Sequence, residues 1–281
     1  MVPGQYEARV TAPPGITDIH SHLIPGVDDG AQEPADSAAA LARFRSEGAM
    51  QIVTTAHFTG SLTHDAAAVA DRLDELDEGW ALLLAVVAAD AERMGTPMRV
   101  ERGVEVMLDV PEPDLSDPRL RLAGGPFALV EYPGLRLPPV NAEIALAALR
   151  RRGWLPVVAH PERYRNLDPS LAELARFRST GAFLAVNAGS LFGDYGKTAA
   201  AHARNILLAG WADYVASDYH ARGEPGLARF SHALAEAGFA EQAELLTITN
   251  PGRLLAGELP LPVPPIPQPR QERTLWARLF G

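Results

Sequence analysis

Short apolar runs rich in β-branched residues alternate along the chain with longer Ala- and Leu-rich stretches that repeat with the period of a helix. Apolar runs of four to eight residues are typical of buried strands, whereas apolar residues three and four apart indicate a helix. The pattern predicts strands at 16–20, 52–57, 100–106, 127–132, 155–160, 183–187 and 214–218. It predicts helices at about 34–47, 64–94, 141–152, 169–179, 197–209 and 227–238.

This alternating order indicates the fold class. Each predicted helix is long enough to connect one parallel strand to the next, and such helices bury both faces of a parallel sheet. We therefore expect an α/β fold whose parallel sheet is either closed as a barrel or open and doubly wound.

The C-terminal end has a different composition from the rest of the chain. From residue 259 it reads LPLPVPPIPQPR, and alternating prolines favour extended polyproline geometry over helix or sheet. We expect a domain at 1–257, a semi-rigid proline-rich linker at 258–270 and a short amphipathic tail at 271–281. The apolar side of the tail predicts weak docking on a membrane, on a second subunit of a homo-oligomer or back on the domain itself.

Composition and charge exclude several classes of protein. The formal charge of −10 works against binding nucleic acid through a broad basic face. Cysteine is absent, which excludes disulfides, thiolate metal sites and a cysteine nucleophile. The first residues lack the basic and apolar regions of a secretory signal, and the apolar runs are too short to span a bilayer. We therefore expect a cytoplasmic protein.

Residue types that bind metal ions stand at the ends of six of the seven predicted strands. They are His20 with His22, His57, Glu105, Glu131, His160, and Asp218 with His220. The carboxyl ends of strands in a barrel or a doubly wound sheet meet on one side, so we expect these side chains to converge. Imidazole and carboxylate groups together suit divalent transition metals, and bridged pairs of such ions serve phosphoryl transfer.

Several motifs resemble those of the PHP (polymerase and histidinol phosphatase) superfamily. Between residues 16 and 255 the chain contains, in order, ITDIHSHLIPGVDDG, IVTTAHF, GVEV, ALVEYP, VVAHPERY and VASDYH. More narrowly, DIHSH followed by DDG, together with HPERY, is similar to the bacterial manganese-dependent protein-tyrosine phosphatases encoded with capsule and exopolysaccharide synthesis. The resemblance implies a distorted seven-stranded (β/α)7 PHP barrel, which agrees with the strands predicted from the pattern.

The resemblance also implies the residues of the site. Matched position by position, the family motifs imply nine ligands for three divalent metal ions: His20, His22, Asp29, His57, Glu105, Glu131, His160, Asp218 and His220. They further imply two phosphate-binding arginines, Arg163 and Arg222. Mn²⁺ is the implied metal, although such ligands also accept iron, cobalt or zinc. We expect Asp18 and Asp28 to support the ligands rather than bind metal.

The implied activity is hydrolysis of phosphotyrosine on a protein, with a bacterial tyrosine kinase of capsule or exopolysaccharide synthesis as the substrate. In this hypothesis a metal-activated hydroxide attacks phosphorus, Arg163 and Arg222 hold the phosphate oxygens, and His220 or water protonates the leaving phenolate. Two alternatives stay open: a PHP phosphatase of a small metabolite such as histidinol phosphate, and a non-catalytic regulatory binding protein. A nuclease-like PHP domain conflicts with the acidic charge.

Overall fold

The structure is a computed structural model that describes residues 15–139 and 141–266. Within these residues lie seven strands: β1 (Ile16–Ser21), β2 (Ala49–Thr59), β3 (Arg99–Met107), β4 (Phe127–Glu131), β5 (Leu155–Ala159), β6 (Phe183–Asn187) and β7 (Tyr214–Ala216). Each strand pairs in parallel with the next along the chain. A single parallel bridge between Ser21 and Tyr219 connects the two ends of the sheet. The sheet is therefore a nearly closed barrel, and the predicted α/β barrel is confirmed.

Helices connect the strands along the outside of the sheet. Those in the described residues are α1 (Pro34–Ser46), α2 (Ala66–Met94), α3 (Glu143–Arg151), α4 (Ala172–Ser179), α5 (Ala188–Leu191), α6 (Gly196–Leu208), α7 (Leu227–Glu236), α8 (Ala240–Glu244) and α9 (Asn250–Leu255). All six helices that the pattern predicts are among them. A π-helix at Leu245–Thr249 joins α8 to α9, so the chain after β7 is helical for longer than the apolar periodicity indicated.

The start and end of α2 illustrate how local sequence sets these boundaries. The Asp65 carboxylate accepts hydrogen bonds from the backbone N–H of Ala67 at 2.9 Å and of Ala68 at 3.2 Å, so it satisfies two of the free donors at the first turn. Gly95 follows the last turn with φ of 68°, a left-handed conformation that glycine adopts at little cost. These two residues fix the ends of the crossover from β2 to β3.

The apolar core has two parts that lie on opposite faces of the strands. The larger part packs helix residues such as Leu41 and Leu146 against one strand face, represented by Val158. The smaller part consists mainly of residues on the other face, among them Leu129 and Val157. Because side chains alternate along a strand, Leu129 and the predicted ligand Glu131 lie on the same face. The interior of the barrel is thus apolar along the strands and becomes polar at their carboxyl ends.

The first half of the predicted proline-rich linker lies against the domain. Residues 258–266 form no helix or strand, but Val263 and Ile266 are buried. The side-chain amide of Asn250 exchanges two hydrogen bonds with the backbone of Leu261, at 2.8 and 3.0 Å. The remainder, including the predicted tail at 271–281, lies outside the described residues.

No helix within the described residues has both the length and the hydropathy needed to cross a bilayer.

Candidate active site

The carboxyl ends of the strands bring the nine predicted ligands together. In the pairing of β2 with β3, His57 lies opposite Glu105, and Glu131 lies opposite Met107, two residues after Glu105. Parallel pairing in register therefore places consecutive strand ends beside each other. The convergence of His20, His57, Glu105 and Glu131 is therefore a property of the sheet itself. The other five predicted ligands lie in the segments that follow the strands.

Four groups of ligand-type side chains lie close enough to hold metal ions among the described residues. Within each group the ligand atoms are all within 4.8 Å of one another. The groups are His22, Asp29, His57 and His220; His20, Glu105 and His160; His20, His22 and Asp218; and His57, Glu105 and Glu131. Together they contain all nine predicted residues. Glu105 belongs to two groups, and its two carboxylate oxygens make it a donor that two closely spaced ions could share. His20, His22 and His57 also belong to two groups each, but a neutral imidazole has one lone pair and can serve one ion at a time.

Glu105 lies at the centre of this cluster. Its Oε1 is 2.9 Å from Nε2 of His160, and its Oε2 is 3.3 Å from Nε2 of His20 and 3.2 Å from Nδ1 of His57. Although Glu105 is buried, its Oε2 has no hydrogen bond in the described part of the chain. A buried carboxylate oxygen without a hydrogen bond is costly, and the imidazoles around it make this position well suited to a cation.

The loop after β1 holds His22 in place. The Nδ1 of His22 is 2.8 Å from Oδ2 of Asp28. The same oxygen accepts a hydrogen bond from the backbone N–H of His57, and Oδ1 accepts one from the backbone N–H of Gly30. A carboxylate that binds one imidazole nitrogen directs the other nitrogen towards a metal. Gly30 is required here because a Cβ on it would lie 2.4 Å from the Cβ of His22. The spacing of HSH and DDG therefore has a steric reason as well as a chemical one.

Two predicted ligands lie in strained backbone immediately beyond their strands. His160 has φ of 33° and Asp218 has φ of 52°, a region that non-glycine residues adopt at a cost of roughly 1–2 kcal/mol. Asp218 is held there by Nδ2 of Asn187 at 3.2 Å and by a hydrogen bond from the Arg163 guanidinium. In this conformation His160 and Asp218 each lie in one of the ligand groups.

The electrostatics of the cluster favour bound positive charge. Burial works to raise the pKa of Glu105, but the imidazoles of His20, His160 and His57 hold it well below its usual range. Burial, with the nearby Glu105 carboxylate, raises the pKa of Glu131 to about 7. Carboxylates buried this close together need cations between them. The donor set of imidazoles and carboxylates fits divalent transition metals, which could supply that charge.

A cavity of about 460 Å³ opens beside the cluster. Asp29, Asp218 and His220 line one side, and Arg163, Tyr195 and Arg222 are also part of its wall. The Arg163 guanidinium lies 4.1 Å from the centre of the Tyr195 ring, and a side-chain N–H of Arg222 donates to the backbone oxygen of Asp29 at 2.8 Å. Both predicted arginines therefore face the space next to the ligands.

The three remaining histidines lie outside the ligand groups found in the described residues. His64 is exposed near the Glu112 carbonyl, His202 is buried with Nδ1 3.2 Å from the Glu162 carbonyl, and His232 forms an exposed ion pair with Glu236. This agrees with the prediction from their positions in helical sequence.

Other side chains have supporting roles, and the sequence motifs do not include Tyr195, which lines the cavity. Asp18 accepts hydrogen bonds from the backbone and hydroxyl of Ser217, which precedes Asp218. The Tyr164 hydroxyl accepts a hydrogen bond from the backbone N–H of Tyr132 at 3.0 Å. Tyr195 was not predicted, because a lone tyrosine between glycine-rich turns carries no periodic or motif signal.

Comparison with known proteins places this architecture in a family. A family model described as capsular polysaccharide synthesis, CpsB/CapC, matches residues 16–256. This chain belongs to the CpsB/CapC family. It is 31% identical over 208 residues to the tyrosine-protein phosphatase YwqE of Bacillus subtilis, covering 73% of this chain and 77% of the relative. It is 25% identical over 260 residues to the tyrosine-protein phosphatase CpsB of Streptococcus pneumoniae, covering 87% of this chain and 100% of the relative.

Solved structures show the same relationship. One belongs to a set of crystal structures of YwqE from Bacillus subtilis and CpsB from Streptococcus pneumoniae, and these two proteins are described as unique metal-dependent tyrosine phosphatases. It is similar to this chain with a TM-score of 0.67 and 28% identity, covering 90% of this chain and 100% of the other. An organophosphorus hydrolase from Deinococcus radiodurans shares the fold alone. It is 15% identical to this chain, with a TM-score of 0.51, and the match covers 88% of this chain and 94% of the other.

Proposed function

We propose that this protein is a metal-dependent protein-tyrosine phosphatase. The observation that carries the proposal is the convergence of nine imidazole and carboxylate side chains beside a cavity lined by two arginines. The family and the named activity of its relatives YwqE and CpsB support the same conclusion. We further propose that the substrate is a phosphorylated tyrosine kinase of capsule or exopolysaccharide synthesis.

The metal ions in this proposal are three Mn²⁺, held by the nine residues of the four overlapping ligand groups. His20, Glu105 and His160 form its buried floor, whereas Asp29 and His57 lie at the exposed edge. Divalent ions bound there would neutralise phosphate oxygens and supply hydroxide at neutral pH. The floor residues are buried, and Asp28 orients His22 so that Nε2 remains available for binding.

Arg163 and Arg222 are assigned to the phosphate. Each guanidinium carries five N–H donors in a planar fork, and only part of that capacity is used by Asp218 or by the Asp29 carbonyl. The remaining donors can form two parallel hydrogen bonds to phosphate oxygens. Stacking of Arg163 on Tyr195 fixes the plane of the guanidinium. The pair would therefore orient the phosphoryl group before reaction.

His220 was predicted both as a ligand and as the acid, and its geometry makes these roles exclusive. Its Nδ1 is 2.9 Å from the backbone oxygen of Asp218, so Nδ1–H donates to that carbonyl and Nε2 is left with one lone pair. That lone pair can bind a metal ion or carry a proton, but not both at once. We assign His220 to the ligands. A phenolate is a good enough leaving group to take its proton from water.

The proposal is tested with protein stripped of metal by a chelator. Hydrolysis of p-nitrophenyl phosphate and of a phosphotyrosine peptide should be lost on stripping and restored by Mn²⁺, with metal content measured in parallel. Histidinol phosphate is the comparison substrate. Turnover of histidinol phosphate well above that of the phosphotyrosine peptide would favour the small-metabolite phosphatase. Full activity in demonstrably metal-free protein would contradict the proposal.

A further inference from the structure

A second cavity of about 370 Å³ lies on the far side of the Arg163 and Tyr195 pair. Arg163 and Tyr195 line both this cavity and the one beside the ligand cluster. The rest of its wall includes Leu135, Arg165 and Thr198. The two cavities are therefore separated by two side chains. Consecutive residues of an extended peptide are about 3.3–3.6 Å apart, so a peptide seated in the first cavity can reach the second within a few residues.

The charges that line the two cavities differ. Carboxylates of Asp29, Asp194 and Glu224 line the first cavity. In the second, Glu162 is the acidic residue of the wall, but it is buried and its Oε1 accepts a hydrogen bond from the Asn187 N–H at 3.0 Å. Its carboxylate is thus buried away from solvent, and the exposed charge of the second cavity is that of its arginines.

Arg165 supplies that positive charge from a fixed backbone. Its side chain is exposed and forms no ion pair with any residue in the described part of the chain. Its backbone N–H donates to the Leu135 carbonyl at 3.0 Å. The next residue, Asn166, exchanges two hydrogen bonds with the backbone of Leu137, at 2.9 and 3.0 Å. Hydrogen bonds therefore hold the loop at Arg165 and at Asn166, while the Arg165 guanidinium forms no ion pair with another described residue.

We propose that the second cavity binds an acidic side chain next to the phosphotyrosine of a peptide substrate, with Arg165 as its partner. The inference rests on the proposed function, because it concerns the residues that flank the phosphorylated tyrosine. A planar guanidinium with five donors forms paired hydrogen bonds with a carboxylate. The apolar Leu135 and the Tyr195 ring would pack against the methylene groups of a glutamate. The protein is thus selective for phosphotyrosine with an acidic neighbour.

The test uses full-length, Mn²⁺-loaded protein and a panel of phosphotyrosine peptides. Each peptide carries one glutamate at one of the two positions before or after the phosphotyrosine, and its partner peptide carries glutamine there. We expect glutamate in one of these positions to raise kcat/KM about twofold to fivefold at low salt, the range of a solvent-exposed ion pair. The gain should disappear in Arg165→Gln and decrease as salt screens the charges.

A matched variant separates this effect from loss of general positive charge. Arg93, at the end of α2, is also exposed and forms an ion pair with Asp90. Because α2 ends just before β3 begins, Arg93 lies at the end of the barrel opposite the ligands. Arg93→Gln should keep the preference for glutamate. Arg165→Glu should reverse it in favour of lysine at the same position. Hydrolysis of p-nitrophenyl phosphate, which is too small to reach the second cavity, should be the same in all variants.

The outcomes distinguish the inference from the function on which it rests. If p-nitrophenyl phosphate is hydrolysed but no glutamate position distinguishes the wild type from Arg165→Gln, the inference is wrong and the phosphatase proposal stands. Equal loss of the preference in Arg165→Gln and Arg93→Gln would also overturn it. If the Mn²⁺-loaded protein hydrolyses none of these phosphate esters, the proposed function fails and the inference fails with it.

Discussion

Replacing Asp28 by asparagine tests how the loop after β1 supports the ligand cluster. The carboxylate accepts hydrogen bonds from Nδ1 of His22 at 2.8 Å, from the Gly30 N–H at 2.9 Å and from the His57 N–H at 3.2 Å. One oxygen serves both His22 and His57, and the other serves Gly30. Asparagine has the same shape but a single acceptor oxygen.

The expected magnitude follows from that geometry. The amide keeps the most hydrogen bonds when its oxygen faces His22 and His57 and its NH₂ group faces the Gly30 N–H. At least one donor then loses its acceptor, which costs about 1–3 kcal/mol. In a domain of this size each kcal/mol lowers Tm by roughly 2–4 °C. Loss of the negative charge behind His22 also weakens its other nitrogen as a ligand, for which we expect a 10- to 100-fold loss of Mn²⁺ affinity, the usual effect of removing such a supporting group.

The assay compares Mn²⁺ titrations of stripped wild type and Asp28→Asn by calorimetry, together with kcat/KM on p-nitrophenyl phosphate at limiting and saturating Mn²⁺. Saturating metal should rescue much of the activity. Asp74→Asn, an exposed substitution on α2, is the control. Wild-type Mn²⁺ affinity in Asp28→Asn would refute the role assigned to this carboxylate.

The same variant has a defined pH dependence. Burial works to raise the pKa of Asp28, but the hydrogen bond and charge of His22 lower it to about 2. A carboxyl group with a lowered pKa stays ionised at every pH above about 4. At saturating Mn²⁺, where the metal displaces the proton from His22, the ratio of wild-type to variant activity should therefore be constant between pH 5 and 8. A ratio that changes several-fold over this range would show that another group controls the effect.

Two further predictions concern residues of the site. His160→Ala should lower kcat by more than about 100-fold, because it removes a proposed ligand rather than the support of one. His232→Ala, at an exposed position on α7, should leave kcat unchanged. Equal losses of kcat on p-nitrophenyl phosphate in the two variants would show that the site has been assigned to the wrong place. Arg163→Lys should lower kcat/KM about 10- to 100-fold although the charge is kept, since an ammonium cannot reproduce the paired contact with phosphate or the stacking on Tyr195. Wild-type kinetics for this variant, with unfolding measured alongside, would assign Arg163 a purely structural role.

Much of the architecture followed from local sequence because each strand and helix has its own periodicity. The strand at 127–132, for example, is apolar at nearly every position, and the structure has β4 at Phe127–Glu131 with Glu131 as its last residue. The alternating order of elements limited the topology to a parallel sheet, and the carboxyl ends of such a sheet lie on one side. Convergence of the histidines and acids could therefore be predicted without coordinates.

Other features depend on contacts between segments that are far apart in the chain. Tyr195 and Arg165 carry no motif, and they become part of two neighbouring cavities because the loops after β5 and β6 fold towards each other. The position of Arg222 beside Asp29 likewise requires the loop after β7 to meet the loop after β1. The proline-rich segment shows the same limit, since its composition indicated an extended linker and gave no sign that Val263 and Ile266 would be buried.

The elements, their order and the residue types at the strand ends could be predicted from the sequence, since these properties depend on periodicity and on chemistry within a few neighbouring residues. The packing of the barrel sets which donors lie together, which oxygen of Glu105 lacks a hydrogen bond from the described residues, and where the guanidinium groups of Arg163 and Arg165 lie. Those properties depend on distances between residues up to 200 positions apart, as in the hydrogen bond between Asp18 and Ser217, which are 199 residues apart. Only the closed packing of the barrel sets such distances.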